Sequence, residues 1–190
     1  ADFDRAIRLN PYDTKAIINR GLTYQSMQRY VEALADFDRA IEIDPHDTKA
    51  IINRGLTYRL MGNFKQALSD FNRAIEIDPE SSEAITGRGQ TNRAMRRYRE
   101  AQADFEQALA IRERVLGPEH PEVVQSLNNL GNLLQAQGQL FAARSYFESA
   151  LAIRERVHGR EHPDTATSLN TLGVLLQKQG ELGEARPYLE

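Results

Sequence analysis

The 190-residue chain is 41% hydrophobic and 27% charged, proportions typical of an ordered, soluble protein. Its formal net charge is −3, and acids and bases nearly balance within residues 1–79, 80–121 and 122–190, so no basic face for nucleic acid is indicated. The absence of cysteine excludes disulfides and thiolate metal sites and suits a cytoplasmic location, and no apolar run is long enough to span a membrane.

Self-similarity along the chain predicts its organisation. The sequence divides into six consecutive segments, which are residues 1–11, 12–45, 46–79, 80–121, 122–163 and 164–190. The second and third segments are identical at 24 of 34 positions, whereas the later period is 42 residues. We therefore expect one repeat array over residues 1–190, with an irregular transitional unit at its fourth segment.

Each short unit contains two helical patterns. In residues 14–27, Ile17, Gly21 and Tyr24 recur at three- and four-residue steps, and residues 30–43 show a second apolar stripe of the same kind. Turn and cap signals fit this division, with N-caps expected at Asp13, Asp47 and Asp164, left-handed turns at Gly62, Gly138 and Gly180, and helix stops at Pro45 and Pro79. Short connections make successive helices antiparallel neighbours.

Small and large residues alternate at fixed spacing in both short units. The pattern is Gly21-Tyr24-Ala33-Phe37-Ala40-Pro45, and it returns as Gly55-Tyr58-Ala67-Phe71-Ala74-Pro79. This pattern resembles the tetratricopeptide repeat. The resemblance implies an all-α fold, a right-handed α-solenoid (superhelix) of antiparallel helix-turn-helix hairpins, in which the first helix of each hairpin lines the concave side.

The 42-residue units resemble the longer repeats of kinesin light chains. The resemblance is carried by Leu127-Asn128-Asn129-Leu130-Gly131 and by Ala150-Leu151-Ala152-Ile153-Arg154-Glu155. The eight additional residues are expected to lengthen the second helix by roughly two turns. In residues 80–121, Asn92 replaces the expected tyrosine and Gly87 lies within the first helix, so we expect weaker packing there, since a mid-helix glycine costs about 1 kcal/mol relative to alanine.

Both ends of the sequence are expected to cut through repeats. Residues 1–11 have the pattern of a second helix without its first, and residues 182–190 of a second helix barely begun. Apolar residues at these ends have no obvious cover, namely Phe3, Ile7, Leu175, Leu176 and Leu189. We expect a fragment of a longer protein that self-associates end to end through its uncapped repeats.

No arrangement typical of an active site is found. The histidines are His46, His120, His158 and His162, and His120 and His162 occupy equivalent inter-repeat turns, where a capping or turn role is expected. There is no His-Glu-x-x-His helix, no glycine-rich phosphate loop, and no serine or aspartate arranged with a histidine as a nucleophile requires. We expect neither catalysis nor a metal or cofactor.

The resemblance places a candidate binding surface on the first helices, on the side facing away from the second helices. Its residues are Lys15, Ile18, Asn19, Leu22 and Gln25; Lys49, Ile52, Asn53, Leu56 and Arg59; Gln125, Asn128, Asn129, Asn132 and Gln135; and Asn170, Val174 and Gln177.

Two features of this surface have alternative interpretations. Ile18, Leu22, Ile52 and Leu56 either form exposed apolar surface for a partner or pack beneath a neighbouring helix. The repeated asparagines form either a ladder that grips a peptide backbone through donor and acceptor groups or part of the helix-to-helix packing. The sequence leaves both alternatives open.

A receptor for chaperone C-termini is argued against. Of the positions that carry the carboxylate clamp in this family, only Asn53 matches, while Ile18, Leu22, Glu83 and Gly87 occupy the others. A cluster of Arg93, Arg96, Arg97 and Arg99 lies where the third hairpin turns. It is interpreted as a solvated turn neutralised by nearby acids, and alternatively as a dock for an anionic patch.

The sequence therefore predicts a protein-interaction scaffold that binds a peptide or protein segment, with neither nucleic acid nor membrane as a partner. Two alternatives remain. The chain is a regulatory or oligomerisation arm of a larger multidomain protein, or it is an engineered or trimmed repeat protein without a native partner.

Overall fold

The computed structural model describes residues 2–189, excluding the side chain of Leu189. Within this range the chain forms eleven helices and no strand. The helices form two compact units that divide between Met95 and Arg96, here called unit 1 and unit 2.

Unit 1 contains six helices: α1 (Asp2–Leu9), α2 (Thr14–Ser26), α3 (Tyr30–Ile43), α4 (Thr48–Leu60), α5 (Phe64–Ile77) and α6 (Ser82–Ala94). Unit 2 contains five: α7 (Tyr98–Leu116), α8 (Pro121–Ala136), α9 (Leu140–His158), α10 (Pro163–Gln179) and α11 (Leu182–Leu189). Within each unit every helix packs against its neighbour in the chain.

The packing of phenylalanine side chains against glycine residues sets the spacing of the helices in unit 1. Phe37 on α3 and Phe71 on α5 are fully buried. A Cβ atom added to Gly21 on α2 would lie 2.7 Å from Cε1 of Phe37. Only glycine lets the two helices approach this closely, which explains why the repeat needs a small residue opposite a large one.

Gly87 in α6 plays the same packing role, contrary to the expectation of weaker packing. A Cβ atom added to Gly87 would lie 2.5 Å from Cε1 of Phe71, and a Cβ atom added to Gly55 would lie 3.1 Å from the same ring atom. Phe71 is therefore held between glycines of two consecutive first helices. The loss of helix propensity at Gly87 is offset by close contact with α5.

Unit 2 uses the same device with longer helices. Gly131 on α8 faces Phe147 on α9, where an added Cβ would lie 2.7 Å from the ring. Leu172, Leu175 and Leu176 of α10 are fully buried against this core.

The additional residues of the long repeat are shared between both helices, so the expectation that they all lengthen the second helix is wrong. The second helix α9 has 19 residues against 14 in α5, and the first helix α8 has 16 against 13 in α4. Lengthening both helices keeps their ends level, because each must pack along the whole of the other.

The predicted N-caps are confirmed at two of the three positions. Asp13 and Asp47 accept hydrogen bonds from the amides of Ala16 and Ala50, both at 3.0 Å. Asp164 lies inside the first turn of α10, and His162 is the cap, with its Nδ1 accepting from the Asp164 amide at 3.2 Å. Pro163 occupies the first position of α10, so the preceding residue, His162, becomes the N-cap.

Apolar residues near the ends are better covered than expected. Ile7 is 6% exposed and Leu175 and Leu176 are fully buried, since α2 and α11 pack over them, respectively. Phe3 remains 37% exposed. The Leu189 side chain lies outside the described part of the chain.

Candidate functional site

Several predicted surface residues of unit 1 belong to its core. Ile18 and Ile52 are 2% and 4% exposed, and Leu22 and Leu56 are half-buried against the same cluster. The packing interpretation of these aliphatic residues is therefore the correct one. They pack on the sides of the first helices that face the core of unit 1, and they offer little apolar surface to a partner.

The two equivalent asparagines of unit 1 have different surroundings. Asn19 is exposed, whereas Asn53 is 7% exposed and its Nδ2 donates to the Lys49 carbonyl of its own helix at 2.8 Å. Gln25 of α2 reaches across to α4 and donates to Thr57 Oγ1 at 2.8 Å, which covers this stretch of α4. Asn53 thus serves helix packing, and the expected ladder is reduced to Asn19 in unit 1.

A pocket of about 240 Å³ lies between the beginnings of α2 and α4. Lys15, Asn19 and Lys49 line it with exposed polar side chains, together with the half-buried Asp47 and the buried Ile18. Three of the predicted surface residues are thus brought together with their polar ends toward solvent.

Arg59 and Arg93 form a second polar feature of unit 1, on α4 and α6. Both are half-buried, and neither has a carboxylate partner among the residues that the structure describes. The Nε of Arg59 is buried without a hydrogen-bond acceptor. Burial, followed by repulsion from Arg93, lowers the pKa of Arg59. Arg96, Arg97 and Arg99, the other members of the arginine cluster predicted from the sequence, are exposed.

Unit 2 presents a separate polar surface. Gln125, Asn132, Asn170 and Gln177 are exposed, as is Val174 at 38%, whereas Asn128, Asn129 and Gln135 are half-buried. Gln125 lines a pocket of about 320 Å³ together with residues of the inter-repeat segments, including Glu119 and His158.

Two arginines that the sequence analysis did not single out tie the helices of unit 1 together. Arg20 on α2 binds both carboxylate oxygens of Asp36 on α3, at 2.6 and 2.8 Å, and reaches Asp4 on α1 at 2.9 Å. Arg54 makes the same contacts with Asp70 and Asp38. Hydrogen bonds to Asp36 and to Asp70 are the main causes that raise the pKa of Arg20 and of Arg54. The recurrence of Arg and Asp at 34-residue spacing was the available signal.

The long repeats use different polar ties. Arg112 donates to Ser126 Oγ at 2.7 Å, and Arg154, 42 residues later, donates to Ser168 Oγ at 2.8 Å. Arg154 lies in the segment Ala150–Glu155 that carries the resemblance to the long repeats, and Arg112 is its equivalent 42 residues earlier. Their recurrence follows from a structural contact between the second helix of one hairpin and the first helix of the next.

The histidines of the inter-repeat turns cap helices. His120 accepts from the Glu122 amide at 3.3 Å, as His162 does from Asp164. The rings of His158 and His162 stack with centroids 4.5 Å apart. Within residues 2–189, no group of three or more His, Asp or Glu side chains is placed to hold a metal ion. None of the described helices combines the length and the apolar character needed to cross a membrane.

The sequence matches the tetratricopeptide repeat family over residues 28–96, 81–140 and 125–190. The chain belongs to the tetratricopeptide repeat family. A tetratricopeptide protein has hairpins, glycine–phenylalanine contacts and repeat lengths of the kind described above. A search of curated proteins finds no match to this sequence.

Solved structures show the same fold. The tetratricopeptide chain is similar to BtubC (BKLC) from P. vanneervenii, with a TM-score of 0.84 and 20% identity over 99% of this chain and 83% of that one. It is similar to a putative kinesin light chain from Podosopora anserina, with a TM-score of 0.80 and 21% identity over 95% and 93% of the two chains. YrrB, described as a TPR protein with an unusual peptide-binding site, gives a TM-score of 0.63 and 22% identity over 100% of this chain and 89% of YrrB. The expected all-α solenoid fold is confirmed.

Proposed function

We propose that this tetratricopeptide chain is a scaffold without catalytic activity, which holds an extended segment of a partner protein against the first helices of unit 1. Tetratricopeptide repeats generally mediate interactions between proteins, and the chain belongs to this family.

The observation that carries the proposal is the pocket between α2 and α4. Asn19 offers an amide donor and acceptor at its edge, and Lys15 and Lys49 flank it with ammonium groups. An extended peptide backbone presents N–H and C=O groups that a side-chain amide can pair with in both directions. At about 240 Å³ the pocket is smaller than the roughly 300–1,000 Å³ cavities that typically bury a small molecule.

The exposed polar residues of unit 2 support a similar role for that unit. Gln125, Asn132 and Asn170 lie on first helices, as Asn19 does in unit 1, and their amides have the same double hydrogen-bonding capacity. We include them in the proposed contact surface of unit 2.

Selection of short linear peptides from a displayed library against the full chain tests the proposal. For selected peptides, we expect Asn19→Ala and Lys49→Ala each to weaken binding by about tenfold, because each removes one polar contact with a desolvated ligand. Isothermal titration calorimetry measures the dissociation constants.

Lys65→Ala is the matched control, since Lys65 is an exposed lysine on the second helix α5. It is expected to leave affinity unchanged. Equal affinity of the wild type and of both pocket variants would reject the proposed surface, as would an equal loss in the Lys65 variant.

A further inference from the structure

The first helices α2, α4 and α6 of unit 1 each carry a net positive charge, although the chain as a whole is nearly neutral. Helices α2 and α4 contain no acidic residue, and α6 contains one, Glu83. Among the second helices, α3 carries four acidic residues, which are Glu32, Asp36, Asp38 and Glu42, whereas α1 and α5 each carry two acidic and two basic residues. The first helices that form the proposed binding face of unit 1 are therefore cationic, and Asp47, just before α4, adds one carboxylate to the pocket.

Four arginines of these first helices fall into two classes. Arg20 and Arg54 are bound by aspartates of the second helices and contribute little free positive charge. Arg59 and Arg93 have no such partner among the described residues of unit 1.

Arg59 occupies the place that Gln25 holds one repeat earlier. Gln25 donates to Thr57 Oγ1 on the next first helix, which shows that this position faces the neighbouring first helix. At the equivalent place, Arg59 is positioned toward the next first helix, α6. Arg93 holds the same repeat position on α6, so the two arginines belong to the same face of unit 1, and repulsion from Arg93 is the second cause that lowers the pKa of Arg59.

A half-buried guanidinium without an acceptor is unfavourable in the free protein. The Nε of Arg59 is removed from water and unpaired, and the neighbouring positive charge adds repulsion. An anion placed between Arg59 and Arg93 would relieve both effects. Guanidinium groups bind carboxylates through paired, charge-assisted hydrogen bonds, which are among the stronger polar contacts in proteins.

We propose that Arg59 and Arg93 anchor carboxylate side chains of an acidic, extended segment of the partner protein. This inference rests on the proposed function and specifies the chemistry of the partner. Exposed Lys15 and Lys49, toward the beginnings of α2 and α4, extend the positive surface along the same helices. The site differs from the carboxylate clamp, whose positions hold Ile18, Leu22, Glu83 and Gly87 in this chain.

Two synthetic peptides with blocked ends test the inference on the full chain. One alternates glutamate with alanine, and the other replaces each glutamate with glutamine. Fluorescence anisotropy is expected to show binding of the glutamate peptide at least about tenfold tighter than the glutamine peptide, with affinity falling between about 50 and about 200 mM salt.

The double variant Arg59→Gln with Arg93→Gln is expected to reduce the affinity for the glutamate peptide to that for the glutamine peptide. Glutamine is compatible with the fold here, since Gln25 occupies the equivalent place. The control Arg8→Gln removes an exposed arginine of α1 and is expected to change the affinity less than twofold, roughly the effect of a screened surface charge.

The outcomes separate this inference from the proposed function. Equal binding of the two peptides, no binding of the glutamate peptide, or unchanged binding by the double variant would overturn the arginine anchor. In each of these cases, the affinities of library-selected peptides for the Asn19 and Lys49 variants would still test the proposed binding surface. Tighter binding of a single-stranded oligonucleotide of equal charge, lost in the same double variant, would replace the acidic peptide with nucleic acid and reject the inference.

Stability of the free protein gives a second readout. Because Arg59 is unpaired, Arg59→Gln is expected to raise the midpoint of thermal unfolding by about 2–4 °C, whereas Arg8→Gln leaves it unchanged. A lower midpoint in the Arg59 variant would contradict the view that this arginine destabilises the folded protein when no ligand is bound.

Discussion

Gln28 adopts a backbone conformation that glycine prefers. Its φ is 60°, and it ends α2 in a turn where the Arg29 amide donates to the Tyr24 carbonyl at 2.9 Å. In the next repeat Gly62 holds the same place, with φ of 76°. A side chain in this region is strained by its Cβ atom. Gln28 therefore destabilises the first repeat, and glycine at this position would remove the strain.

We expect Gln28→Gly to raise the free energy of unfolding by about 1 kcal/mol, because the strain is removed although the unfolded chain gains freedom. Unfolding in guanidinium chloride, followed by circular dichroism, measures the change. The control Met27→Gly alters the preceding residue, which has φ of −83°, and should destabilise the protein. Destabilisation by both variants would contradict the strain argument.

Gly87 allows a second test at the scale of one residue. We expect Gly87→Ala to lower the free energy of unfolding by about 1–3 kcal/mol, since the new methyl group would overlap the buried ring of Phe71. Gly183→Ala is the matched control, because Gly183 lies in helix α11 with no atom within 4 Å of the added Cβ. Helix propensity alone should make that control stabilising by up to about 1 kcal/mol. Equal responses at the two sites would reject the packing role of Gly87.

At the scale of helices, arginine–aspartate ties hold consecutive hairpins of unit 1 in position. Arg54 on α4 joins α5 through the buried Asp70 and joins α3 through the more exposed Asp38. One side chain thus fixes its helix against both neighbouring second helices. A buried carboxylate left without its arginine is costly, because no solvent replaces the lost hydrogen bonds.

We expect Arg54→Met to lower the free energy of unfolding by about 3 kcal/mol, because Asp70 would stay buried without its partner. Asp38→Asn should cost less than about 1 kcal/mol, since that carboxylate is 48% exposed. Chemical unfolding of both variants makes the comparison. A larger loss in the Asp38 variant would show that the exposed contact, rather than the buried one, holds the helices together.

The candidate surface also depends on which elements are neighbours. Asn19 and Asn53 have identical sequence surroundings, from Asp13 to Tyr24 and from Asp47 to Tyr58. Yet Asn53 is buried where the Gln25 side chain crosses to α4, while Asn19 is exposed and lines the pocket. Sequence identity between repeats fixes the fold of each hairpin, but the neighbouring hairpin decides which side chains remain available to a partner.

At the scale of the whole described chain, stability should differ among helices. Within unit 1, α4 packs against α3, α5 and α6, whereas α1 packs mainly on α2; in unit 2, α11 packs mainly on α10. In arrays of this kind each repeat gains stability chiefly from its immediate neighbours.

We therefore expect native-state hydrogen exchange to show slower exchange in α4 and α5 than in α1, and slower exchange in α9 than in α11. Mass spectrometry of peptides covering these helices measures the difference. Comparable protection of α1 and α4 would contradict this view and would indicate that each unit opens as one cooperative body.

The sequence alone determined the helical hairpins, their order and the glycine–phenylalanine alternation that closes them, because these depend on local periodicity and repeat at fixed spacing. Only the tertiary structure decided that Ile18, Ile52 and Asn53 are buried, that Gly87 closely approaches Phe71, and that the Nε of Arg59 is buried without a hydrogen-bond acceptor. These properties depend on which side chain of an adjacent helix fills the space above each residue. Helical periodicity gives the direction in which a residue points, but its exposure and its charge partner are set by packing between hairpins.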